Sequence, residues 1–155
     1  MRQSVRLLAL GALALVLLAA PGRPPFQADE FVPHAIFTTA SGEEVRLNLE
    51  VADTVDKQTR GLMFRTELAE DWGMLFLFEG TVQIGFWMKN TLLPLSICFV
   101  DEKGTIVDIL DMQPQTENVN VPKSPYRYAI EVNQGYFARH NIAVGDSVRL
   151  VLSPP

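Results

Sequence analysis

Residues 60–91, RGLMFRTELAEDWGMLFLFEGTVQIGFWMKNT, decide how this chain folds. Inside them, residues 73–79 (GMLFLFE) form a continuous apolar run of strand length, which reads as a central strand covered on both faces. Gly80-Thr81 then turns the chain. Residues 83–88 alternate, with Ile84, Phe86 and Met88 opposite Gln83, Gly85 and Trp87. A strand continued by one residue puts Lys89 on the face of Trp87. The segment therefore predicts two strands and places an aromatic ring beside a cation.

The pattern extends outward in both directions. On the N-terminal side, residues 34–39 and 44–51 read as strands joined at Ser41-Gly42. The second alternates cleanly, Val45, Leu47, Leu49 and Val51 against Glu44, Arg46, Asn48 and Glu50, as a half-buried antiparallel strand does. Asp53 is the expected N-cap of a short helix over 54 to about 62, with Asp53/Lys57 and Asp56/Arg60 spaced for side-chain pairing. On the C-terminal side, strands are expected at 95–100, 105–111, 127–133 and 147–152, with a short helix or turn at 134–141. In strand 127–133, Tyr128, Ile130 and Val132 point inward and Glu131 takes the other face. Residues 112–125 form a polar loop with three prolines, of a length that is often functional. About eight strands and two short helices, without an internal repeat, predict a mainly β fold: an antiparallel β-sandwich or a partly closed barrel.

The chain of 155 residues is long enough for one domain. Residues 1–20 read as a signal peptide: Arg2 and Arg6 precede an apolar run, residues 7–20, that is too short to span a bilayer. Cleavage is favoured, although Pro21 follows Ala19-Ala20 awkwardly. Retention as a short membrane anchor is the alternative. Residues 21–33 are a proline-rich linker and residues 34–153 a single β-rich domain, expected in the periplasm or at the cell surface. A net charge of −5 argues against nucleic acid, which needs a basic face. The lone cysteine, Cys98, excludes an intramolecular disulfide and reads as a small buried hydrophobe.

The motifs R-G-L-M-F-R, G-M-L-F-x-F, F-W-M-K-N-T, P-L-x-I-x-F-V-D, A-x-E-x-N-x-G and V-G-D occur in that order. In this the sequence resembles the family catalogued as domain of unknown function 192, over residues 45–152. The resemblance implies a compact β-rich domain, often exported, without an established activity. One position departs: the family usually carries Asp where this chain has Ser96. If that carboxylate serves a family function, this member is altered; if it only pairs with an arginine, Ser96 is a neutral change.

The candidate site residues are Arg60, Arg65, Trp87, Lys89, Asn90 and Glu131. Trp87 with Lys89 would suit a carboxylate or a sugar; the competing reading is a packed Trp87 with Lys89 lying over it. Asn90 and Thr91 could contact a ligand or only build a turn. Arg60 and Arg65 could clamp an anion, or bridge to Glu131 or Asp101. Glu131, if held near Arg60 or Lys89, is the weak candidate for a catalytic acid or base; a paired structural carboxylate is the favoured alternative. The methionines lack the tight spacing of a copper site, and His34 and His140 do not make a zinc motif. No metal or cofactor is expected. The favoured reading is a domain that binds a small polar or anionic ligand or an envelope partner, with residues 112–125 as a lid. An envelope hydrolase using Glu131, and a structural accessory protein without a small ligand, stand as alternatives.

Overall fold

The computed structural model describes residues 31–154, so the expected signal peptide and most of the linker lie outside the described residues. The elements are β1 (His34–Thr38), β2 (Glu44–Ala52), α1 (Val55–Arg60), β3 (Trp72–Val82), β4 (Leu95–Val100), β5 (Ile106–Met112), β6 (Tyr126–Asn133), α2 (Tyr136–Arg139) and β7 (Ser147–Val151). The seven strands form one sheet in the order β5-β4-β6-β3-β2-β1-β7, curved into a half-barrel. Its two edges meet at one end. Thr105 bridges Ser147, and the Val148 N–H donates to the Gly104 carbonyl at 2.7 Å. The fold is thus the partly closed barrel, built from a single mixed sheet.

Every neighbouring pair in the sheet is antiparallel except β2 and β3, which run parallel. A parallel pair needs a crossover, and residues 53–71, containing α1, supply it. Alternation in β2 looks the same for either pairing direction, which is why the sequence suggested antiparallel strands throughout. Thr54, one residue later than expected, caps α1 by accepting from the Lys57 N–H at 3.4 Å. Asp53 instead holds the Lys57 ammonium at 2.8 Å. Gln58 fixes the helix over the sheet, its Nε2 donating to the Leu77 carbonyl at 2.7 Å.

Two other expectations change. β3 runs on through Gly80-Thr81 to Val82, absorbing the irregularity as a register shift against β6. Residues 83–88 are not a sheet strand. They pair only with the long loop, Phe86 exchanging backbone bonds with Asn120 at 2.9 and 2.7 Å, and the Met88 N–H donating to the Thr116 carbonyl at 3.0 Å. Gly85 makes this approach feasible, because a Cβ there would lie 2.4 Å from Val119 Cγ1.

Both faces of the sheet carry a core. One packs Phe37, Leu47, Leu75, Cys98, Ile130 and Phe137; the other packs Leu62, Phe76, Met88, Ile97, Phe99 and Tyr126. Each fully buried side chain of this size contributes about 1.5–3 kcal/mol. β4, LSICFV, is buried at all six positions, Ser96 included, as a strand covered on both faces requires. Cys98 is completely buried, and burial pushes its thiol up. The native protein should therefore leave a chromogenic disulfide reagent unreacted, with one equivalent released only in denaturant. Release at the rate of an exposed thiol would mean that β4 opens locally. Among the described residues, no helix is long and apolar enough to cross a membrane.

Candidate functional site

Glu131 sits in the middle of β6, with Met74 of β3 and Ile97 of β4 as its cross-strand neighbours. Facing residues across a sheet share a side, so the carboxyl enters the second core rather than solvent. It is 5% exposed. Among the described residues it has no ion pair and no side-chain hydrogen bond. Burial alone pushes its pKa up to about 8. The expected partners are engaged elsewhere or stay away. Arg65 forms a fork with Glu50 at 2.6 and 2.5 Å, which raises the pKa of the guanidinium. Lys89 reaches Glu117 at 3.2 Å. Asp101 caps a turn, accepting from the N–H groups of Lys103 and Thr105.

The carboxyl opens into a small cleft of about 30 Å³. Gly61, Phe76, Phe86, Trp87 and Thr91 line it, and Arg60 stands among the lining residues as the one cation. The sequence explains each wall. Gly61 ends α1 at φ 46°, ψ −134°, a conformation suited to glycine, and a Cβ there would lie 3.3 Å from the Phe76 ring and 3.9 Å from Glu131 Oε2. The cleft is therefore open where a larger residue would fill it. Phe86 is held from below by an aromatic chain: it meets Phe76 at 4.9 Å and Phe99 at 5.8 Å, and Phe99 meets Tyr126 at 4.8 Å. The Tyr126 hydroxyl donates to the Ile84 carbonyl at 2.9 Å and anchors the same segment. Trp87 is 44% exposed, and the Lys89 ammonium lies 5.4 Å from its ring centroid. The cleft continues into a groove of about 280 Å³ that shares Phe76, Phe86 and Trp87 as walls and runs past Val55, Phe78 and Ile84.

The six candidate residues thus separate. Arg60, Trp87 and Glu131 line one cleft, and Lys89 reaches it only through Trp87. Arg65 lines a neighbouring hollow that Arg60 also borders, and is occupied by Glu50. Asn90 is a backbone device: at φ 56° its carbonyl accepts the N–H of Phe64, itself at φ 64°, at 2.8 Å, tying the R-G-L-M-F-R and W-M-K-N-T motifs together. The loop after β5 buttresses Phe86 and is not among the residues lining the cleft. Gly61, Phe76 and Phe86 escaped the sequence reading. Only Gly61 carried a signal, as a glycine between a helix and an apolar pair. Ser96 lies on the opposite sheet face from Glu131, donating to Asp111 at 2.5 Å and accepting from the Gly135 N–H at 2.9 Å. Ser96 meets Asp111 rather than an arginine, and it leaves the cleft alone.

A family model described as an uncharacterized group, DUF192, matches residues 36–150. A UPF0127 protein of Pyrococcus furiosus is 25% identical over 116 residues, covering 72% of this chain and 93% of its own. One from Pyrococcus abyssi is 28% identical over 109 residues, covering 66% and 86%. A crystal structure from Sinorhizobium meliloti, of a protein provisionally described as a transcription regulator, superposes with a TM-score of 0.74 at 35% identity over 76% of this chain and 92% of its own. A protein of unknown function from Novosphingobium aromaticivorans gives 0.72 at 36% identity, covering 85% and 94%. With its fold, its motifs and nearly all of its described residues matched, the chain belongs to the DUF192 family.

Proposed function

We propose that this domain is an extracytoplasmic binding module for a small ligand, with the cleft over Glu131 as its site. The observation that carries the reading is the carboxyl itself. A buried acid, 5% exposed and without a partner among the described residues, is costly, and it lines a cleft with aromatic walls rather than being packed shut. Arg60 and Thr91 line it beside the acid, and the adjoining groove of about 280 Å³ supplies the apolar wall that small-molecule sites carry. Export rests on the sequence, namely Arg2 and Arg6 ahead of the apolar run at 7–20. Net charge −5 weighs against nucleic acid as the partner.

An acid whose pKa is raised by an apolar pocket is also the environment of a general acid. Hydrolysis of a glycoside by the usual pair of carboxylates would need a second acid, and among the described residues Glu131 is the one acid lining the cleft. Binding is therefore the better reading.

A thermal-shift screen of polar and amphiphilic small molecules tests it. Hits should saturate, and should weaken at least tenfold in both Trp87→Ala and Glu131→Gln. Hits that ignore both substitutions, or none across the screen, would remove the cleft from consideration as a binding site.

A further inference from the structure

The cations around the cleft differ in one respect. Lys57 is held by Asp53, Arg65 by Glu50 and Lys89 by Glu117, whereas Arg60 has no ion pair among the described residues. Its helical neighbour Asp56, spaced to meet it, does not. Arg60 and Glu131 therefore stand as a cation and an acid that share one cleft without neutralising each other. The space between α1 and residues 84–87 adds an apolar groove that shares walls with that cleft.

Resting on the binding reading above, we propose that the ligand is a zwitterionic amino compound on an apolar body, its ammonium group on Glu131, its anionic group at Arg60, and its apolar part in the groove. Each component follows from what is present. A carboxylate buried among aromatic side chains is ionised most readily by a cation placed against it, and Phe76, Phe86 and Trp87 line the space that cation would enter. A plain amine would meet Arg60 at like charge; a molecule that brings its own anion turns that repulsion into a charge-assisted hydrogen bond. A polyhydroxylated ligand would set most of its hydroxyls against Val55, Phe78 and Ile84, with Gln58 and Thr59 as the polar side chains of the groove.

The proton balance follows. At neutral pH the Glu131 carboxyl holds its proton; an arriving ammonium displaces that proton to the buffer. Among the described residues Arg60, from the end of α1, is the one other charged residue lining the cleft. β3 and β4 present Met74 and Ile97, and residues 86–91 present Phe86, Trp87 and Thr91, with Lys89 behind Trp87 and paired to Glu117.

Isothermal titration of the full chain with L-phenylalanine, phenethylamine and 3-phenylpropionate tests this at pH 7 in two buffers of different ionisation enthalpy. Phenylalanine should bind saturably, at least tenfold tighter than either truncated probe, with a buffer-dependent heat that reports proton release. Arg60→Gln should erase its advantage over phenethylamine, and Glu131→Gln its advantage over phenylpropionate, together with the proton release. Phenethylamine binding as tightly as phenylalanine, with Arg60→Gln silent, overturns the zwitterion while leaving a cleft that binds amines. Failure of all three probes also overturns it, and the wider screen then decides the binding reading separately. Because both substitutions are conservative and Arg60 is exposed, thermal melts of the variants separate lost binding from lost fold.

Discussion

Glu131→Gln should stabilise the protein, and the gain should grow with pH. The folded-state pKa of about 8 lies above the ordinary carboxyl value of 4.5. Folding therefore favours the protonated acid. Below about pH 4.5 the side chain is neutral whether folded or unfolded, and nothing is lost. As pH rises from there toward 8, the unfolded chain sheds a proton that the folded chain keeps, so stability falls throughout this window and levels off above it. The full loss is on the order of 4–5 kcal/mol if the burial penalty is undiluted. Glutamine keeps the shape and cannot ionise. Denaturant unfolding at pH 5 should give similar midpoints for the two proteins, since a protonated carboxyl and an amide bury comparable polarity. At pH 8.5 the variant should lead by a few kcal/mol, of the order of ten degrees or more in Tm for a domain of this size. A gain independent of pH would mean that ionisation of Glu131 is not what the fold resists. Natural binding sites commonly trade stability for function in this way.

Gly73→Ala should have the largest effect in the opposite direction. Gly73 lies in β3 between Leu49 of β2 and Val132 of β6. An added Cβ would sit 2.6 Å from the Glu131 carbonyl oxygen and 3.0 Å from both Leu47 Cδ2 and Val132 Cγ1. The nearest obstacle is backbone in a ladder, which cannot rotate aside. Overpacking of this kind costs about 3 kcal/mol. Whatever relief occurs must push β6 at Glu131, so ligand binding should weaken along with stability. Gly80→Ala is the control in the same strand. Nothing lies within 4 Å of its Cβ, and the change should stay within about 0.5 kcal/mol in equilibrium unfolding. Equal effects at the two positions would mean that the β3–β6 contact is looser than described.

Much of the scaffold was legible because the pattern there is local. β2 alternates and β4 is apolar at every position but Ser96, and each is a strand on that evidence alone. The parallel pairing of β2 with β3 depends on where residues 53–71 carry the chain, which no periodicity records. The alternation of residues 83–88 was genuine but was met by the loop rather than by the sheet, since Met88 is buried while Ile84 is largely exposed. The site was half legible. Glu131 stood out as a carboxylate in an apolar strand, and Trp87 as an aromatic beside a cation. Its isolation could not be read, because whether Arg65 turns to Glu131 or to Glu50 is settled by strand register, and Phe76 looks in sequence like any core residue.

β1 pairs with β7 along five positions, from His34 opposite Val151 to Thr38 opposite Ser147. The first strand of the described fold is thus flanked by the last, and the ladder between them joins residues separated by most of the chain. Such a topology has high contact order, and loop-closure entropy must be overcome before this pairing returns anything. The domain should fold slowly, with β1 held only by its hairpin to β2 until β7 has been synthesised. A nascent chain therefore cannot complete this sheet until β7 has emerged.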